Sequence, residues 1–142
     1  VSNLITDWRT QLVAYLKTQF PDAIVESGRR PDAPSRDNDR ITVFWPGIGE
    51  AGDINFANPL MTVRWFVKNP KTAPLTHEPR DDGPLEQAAW DLMRALKPVC
   101  TTLDPDGRYY FRVTSIVPDR EEWGIEASLF AWTVNPASVA TP

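Results

Sequence analysis

Large apolar side chains recur at every fourth position at the start of the chain: Leu4, Trp8, Leu12, Leu16 and Phe20, with Ile5 and Tyr15 widening the stripe. A spacing close to 3.6 residues predicts an amphipathic helix with one buried face. Ser2 or Asn3 can cap its start and Asp7 suits the positive end of the helix dipole. Phe20 followed by Pro21 ends it, because the residue before proline avoids the α region. A second stripe, Leu85, Ala88, Ala89, Leu92, Met93 and Leu96, predicts a helix over 84–97, PLEQAAWDLMRALK. Proline stands in its first turn, Asp82 or Gly83 is the expected cap, and Pro98 is the stop.

Elsewhere the period drops to two. AIVES at 23–27, RITVF at 40–44 and LMTVRWFVK at 60–68 read as strands, as do RYYFRVTSIV at 108–117 and IEASLFAWTV at 125–134. The last two, joined by PDREEWG, predict an antiparallel hairpin. In 60–68, Met61, Val63, Trp65 and Val67 share one side while Thr62, Arg64, Phe66 and Lys68 share the other. In the final strand Ile125, Ala127, Leu129 and Ala131 oppose Phe130, Trp132 and Val134. Charged loop GRRPDAPSRDND at 28–39 and the proline-rich connection 69–83 separate the elements, and NPASVATP at 135–142 reads as a flexible tail.

The predicted order is α-β-β-β-α-β-β, without internal repeat, in a single domain over 1–134. Two amphipathic helices can bury both stripes on one face of a mainly antiparallel sheet of about five strands, an α+β architecture. On the other sheet face Phe66, Phe130 and Trp132 would form an apolar surface larger than a monomer of this size exposes, a feature that marks association. One connection is oversized: WPGIGEAGDINFANP at 45–59 lies between two strands, although hairpins close in about two to five residues. It carries Ile48, Ile54 and Phe56, more apolar content than a solvated loop needs.

Composition narrows the function. At 142 residues the chain is long enough for one self-sufficient core. A single cysteine, Cys100, rules out an intramolecular disulfide and is compatible with a reducing compartment. No apolar run approaches a membrane span, and the first residues, VSNLITDWRTQ, lack the pattern of a signal peptide, so the protein is expected to be intracellular at synthesis. A net charge of −4 argues against general duplex-DNA binding, and the arginines at 29, 30, 36 and 40 are interleaved with Asp32, Asp37 and Asp39.

No catalytic constellation emerges. His77, the only histidine, lies in THEP, so a histidine-rich metal site is impossible, and a solvated loop residue is the simpler reading. Nothing near Cys100 activates a nucleophile. GIGEAG at 47–52 lacks the lysine and Ser/Thr of a phosphate loop. The pairs Asp81 with Asp82 and Glu121 with Glu122 sit at turns, where exposed acids are common. Tyr109, Tyr110 and Phe111 between Arg108 and Arg112 could stack single-stranded nucleic acid, but consecutive strand residues divide between faces. No cofactor or metal is expected.

The layout resembles the tail terminator, or tail completion, proteins of long-tailed bacteriophages of the lambda type. The resemblance rests on the N-terminal helix running into FPDAIVES, on WPGIGEAGDINFANP ahead of LMTVRWFVKNP, on PLEQAAWDLMRALKPV, and on the closing pair RYYFRVTSIV and IEASLFAWTVNP. It covers almost the whole chain as a pattern of elements, with no signature motif. The resemblance implies a structural virion protein without enzyme activity. Such a subunit forms a hexameric ring that caps the tail tube, docks the head–tail connector (stopper) protein and lets DNA through its lumen without sequence-specific binding. It is made in the host cytoplasm and ends at the head-proximal end of the tail. A tube and neighbour interface is then expected at Ile48, Ile54, Phe56, Phe66, Phe130 and Trp132, with 46–59 as an arm ordered on assembly. A neck or head-closure protein of the same junction and a small protein-binding module remain as alternatives.

Overall fold

The structure, a computed structural model, describes residues 4–28, 38–50, 57–68, 82–100 and 109–133. Helix α1, Leu4–Gln19, buries Trp8, Leu12 and Leu16 completely, which is the predicted stripe. Its last turn is extended by Phe20, whose amide donates to the Leu16 carbonyl and whose ring meets Trp65 edge-on at 4.7 Å between centroids. At the other end Trp8 packs on Phe111 at 5.7 Å. Helix α1 therefore lies along the sheet, against β1, Ile24–Ser27, and β2, Arg40–Phe44.

Helix α2, Gly83–Leu96, packs on the closing pair β5, Tyr109–Asp119, and β6, Gly124–Thr133. It buries Leu85, Ala88, Leu92, Ala95 and Leu96. Met93, expected in that stripe, is 37% exposed. The buried line is centred on 85, 88 and 92, and each further residue turns about 100°, which carries position 93 off its flank while 95 and 96 return to it. Asp82 occupies the N-cap position without capping through its side chain. Its carboxylate instead takes the Arg120 guanidinium at 2.9 and 3.0 Å, and its carbonyl accepts the Glu86 amide. A 3₁₀ turn, Lys97–Val99, follows where Pro98 ends the α-helix. The two helices are joined by the Tyr15 hydroxyl, which donates to the Ala95 carbonyl at 2.6 Å.

Five strands form the main sheet in the order β1-β2-β4-β6-β5, β4 being Ala57–Phe66; only β1 and β2 run parallel. The architecture is α+β, as expected. Inward-facing Val25, Ile41, Val43, Met61, Val63, Trp65, Ile125, Ala127, Leu129 and Ala131 make one core with the two helix stripes. The oversized connection is more regular than a loop: Ile48–Glu50 forms β3, paired antiparallel with the first residues of β4. Three alternating residues among glycines gave too short a pattern to be read as a strand.

Two local features set the closing hairpin. A bulge between Val113 and Ser115 shifts its phase, so Phe111 and Val113 pack on the core before it and Ile116 after it. The turn ends with Trp123 in the left-handed region, φ 55°, a conformation costing a non-glycine residue roughly 1–3 kcal/mol. Burial of the indole and a bond from the Val67 amide to the Trp123 carbonyl hold it there. Gly124 then passes so close to β4 that a Cβ would lie 2.4 Å from the Trp65 carbonyl oxygen.

Candidate interaction surface

Strand alternation decides what the helix-free face of the sheet displays. Across its middle run Glu26, Thr42, Arg64, Glu126 and Val117, one from each strand in order. Arg64 and Glu126 are direct cross-strand partners, with Arg64 Nε donating to Glu126 Oε2 at 3.0 Å and a second guanidinium nitrogen on the same oxygen. Arg40 reaches Glu26 at 3.4 Å on the neighbouring strands. The next row holds Phe44, Thr62, Ser128 and Ser115, and beyond it lie Leu60, Phe130 and Arg112. The ion pairs Arg64 with Glu126 and Arg40 with Glu26 are closed within the chain, and Thr42 and Thr62 are buried. The apolar residues are spread over the face, with Phe44, Leu60 and Phe130 toward one end, Val117 exposed in the middle row and Phe66 at the other end.

This changes the expected surface. Phe66 is only 2% exposed and is not part of an apolar patch. Arg64, two residues away on the same side of β4, lies over its ring at 6.0 Å, and Arg40 is its partner on β2. Phe130 is half-buried opposite Leu60, six strand positions from Phe66, or roughly 20 Å at 3.3 Å per residue. Between them stand Arg64, Thr62, Glu126 and Ser128. The two phenylalanines are thus not brought together, because the residues between them on that side are polar.

Trp132 lies in β6 opposite Tyr110, and Ile48 lies in β3 opposite Pro59. Ile54 and Phe56 are outside the described residues, as are His77, Asp81 and the 135–142 tail. At Leu60 the sheet changes: β4 pairs with β6 from Leu60 onward and with β3 before it. Gly47, at φ 150°, makes the entry, its carbonyl accepting the Leu60 amide at 3.1 Å. Residues 48–50 and 57–59 therefore form a two-stranded ribbon running on from the sheet.

Sequence reasoning passed over three exposed large apolar residues, Trp90 at 54%, Trp45 at 41% and Val117 at 51%, and assigned a fourth, Met93 at 37%, to the buried stripe. Trp90 was readable, since two positions before Leu92 is the side of the wheel away from the buried stripe. With Arg94 and Lys97 exposed beside it, the outer face of α2 is basic and apolar toward its C-terminal end.

Among the described residues, sites for chemistry are sparse. A groove of about 260 Å³ between the start of α2 and the hairpin is floored by Leu85, Ala89, Ile116, Pro118 and Ile125 and rimmed by Asp82, Glu86 and Arg120. Among the described residues no group of three or more His, Cys, Asp or Glu could hold a metal ion, and no helix is long and apolar enough to cross a membrane. Burial pushes the Cys100 thiol up, against a smaller opposite effect of the Val113 backbone hydrogen bond. Its Sγ donates to the Leu96 carbonyl at 3.3 Å, and its own carbonyl accepts the Phe111 amide at 2.8 Å. Cys100 therefore fastens the end of α2 along the open edge of β5. Phe111 is buried and Tyr110 half-buried on opposite sides of β5, so neighbouring aromatics divide between faces rather than form a platform.

No family model and no curated protein matches the chain.

Proposed function

We propose that the protein is a structural subunit of a long-tailed phage virion, a tail terminator that assembles as a hexameric ring on the end of the tail tube. The observation that carries this reading is the β3–β4 ribbon. It extends β4 past its pairing with β6, giving a small subunit an element that reaches a neighbour or the tube below. The helix-free sheet face supports it: the ion pairs Arg64 with Glu126 and Arg40 with Glu26 are closed within the chain, so covering this face leaves those charges partnered. In this role the tail tube protein meets one face of the ring and the connector protein the other. A net charge of −4 suits a lumen that lets DNA pass without holding it. No enzymatic step is assigned.

Solution mass by light scattering, at low and high concentration, tests the proposal. The expected species has six times the 16.0 kDa mass of the protomer. Continued two residues past its last pair, Phe44 with Thr62, the β2–β4 register would set Pro46 opposite Leu60, so residues 47–59 can be replaced by Asn-Gly, a pair suited to a two-residue hairpin. That variant should fold, remain monomeric and fail to cap tubes. A variant that still forms rings and completes tails would overturn the role of the ribbon, and a wild-type protein that neither forms a ring nor binds tail tubes would overturn the proposal.

A further inference from the structure

A ring of identical subunits needs two different, mutually complementary surfaces on each copy, because a head-to-tail contact joins unlike patches. The two ends of this molecule differ in charge. At one end the hairpin turn presents Glu121, exposed, and Glu122, beside Glu86 of α2, while the Asp82 carboxylate there is already taken by Arg120 of the same turn. At the other end the last turns of α2 present Arg94 and Lys97, exposed together with Met93, one turn beyond Trp90. These ends are held apart by the fold. The start of α2 is tied to the turn through Asp82 and Arg120, whereas its C-terminal extension is tied to Phe111, eight residues before the end of β5 at Asp119. Eight strand residues span roughly 26 Å.

Resting on the ring reading, we infer that the exposed C-terminal face of α2, Trp90 and Met93 with Arg94 and Lys97, receives the acidic hairpin turn of a second copy of this chain. Charge complementarity selects that occupant. A chain of net charge −4 repels itself in most orientations, and this orientation sets opposite signs against each other. Trp90 supplies the aromatic anchor, a large side chain with little conformational freedom to lose on burial, and the basic residues set the direction of approach. An antiparallel two-fold pair would also set acidic against basic at both ends and would show as a doubled mass, whereas a single head-to-tail contact leaves one acidic and one basic surface open. The head-to-tail contact propagates until the ring closes.

Paired charge reversals in the full chain test this. One variant, Arg94→Glu with Lys97→Glu, carries two acidic ends; the other, Glu121→Lys with Glu122→Lys, carries two basic ends. Each alone should stay monomeric by light scattering at concentrations where the wild type assembles, with native circular dichroism. A 1:1 mixture should restore the wild-type mass, since every contact then again joins opposite signs. Trp90→Ala should raise the concentration needed for assembly at least tenfold. Assembly of either charge variant alone, or a mixture of folded variants that stays monomeric, would overturn the contact while leaving a wild-type hexamer, and the ring reading, intact. Open-ended polymers or a doubled mass of the wild type, responding to the same variants, would uphold the contact and overturn the closed ring.

Discussion

Phe66→Ala separates a core role from an interface role for the residue whose placement departs most from its sequence pattern. The side chain is 2% exposed, so truncation removes nearly all of a buried phenyl ring. Large-to-small changes of this kind cost about 3–5 kcal/mol, the spread reflecting how far the site collapses. Here Arg64 lies over the ring at 6.0 Å and can settle into part of the space, which argues for the lower end, about 3 kcal/mol. Loss of the cation–π contact falls within that figure. With a urea m-value of about 2 kcal/mol/M, the midpoint of unfolding should fall by roughly 1.5 M. The melting temperature should drop by roughly 6–12 °C. Phe130→Ala, at a half-buried position, should lower the midpoint by less than half as much. The assay is urea unfolding followed by tryptophan fluorescence and circular dichroism, with light scattering on the same samples in the absence of urea. A Phe66→Ala protein with the wild-type midpoint and lost assembly would refute the reasoning, because it would make Phe66 an interface residue and not a core one.

Gly124→Ala should lower stability by about 1–3 kcal/mol, seen as an earlier urea midpoint, because its Cβ would meet the Trp65 carbonyl oxygen at 2.4 Å with both strands fixed by pairing; an unchanged midpoint would refute the close approach. A double-mutant cycle on Arg64→Ala and Glu126→Ala should give a coupling of about 1 kcal/mol, and additive single effects would remove the pair from any role in the sheet. The raised Cys100 pKa means that its thiol ionises in the unfolded chain, near pH ~8.5, before it does in the folded one. The contribution is therefore complete below that pH and lost as pH rises through the folded value, so stability should fall with alkalinity more steeply in wild type than in Cys100→Ser. Equal slopes in urea titrations across pH 8–10 would refute it.

What was legible in the sequence follows from the length of each pattern. Helix α1 repeats its large apolar residue at four successive intervals, and Trp8, Leu12 and Leu16 are all fully buried. The closing hairpin carries two long alternating runs around a turn, and its strands are found within two residues of the expected bounds. Short or interrupted patterns were not legible. The bulge after Val113 shifts the phase of β5 without altering composition, and β3 is only three residues long. Phe66 was misplaced for another reason: alternation assigns a residue to a sheet face but does not say whether a long neighbour such as Arg64 lies over it. Met93 failed because it lies about 100° past Leu92, off the flank of the line through 85, 88 and 92 to which Ala95 and Leu96 return.

The distribution of charge bears on the ring proposal in a way that composition alone does not. On the helix-free face the acids and bases are matched across neighbouring strands, Arg64 with Glu126 and Arg40 with Glu26, so this face has little charge with which to choose a partner's orientation. At the ends of the body Glu121 stands at one pole and Arg94 and Lys97 at the other, all exposed. A cover over the sheet face would be held mainly by shape and apolar contact at Leu60 and Phe130, which tolerate sliding; contacts at the poles would fix direction. If assembly is directed by the poles, raising salt from about 0.05 M to about 0.5 M, which shortens the Debye length from roughly 14 Å to about 4 Å, should weaken it. The wild-type ring should then dissociate at protomer concentrations where it persists in low salt. A ring mass independent of salt would place the directing contacts elsewhere, on the sheet face or the ribbon.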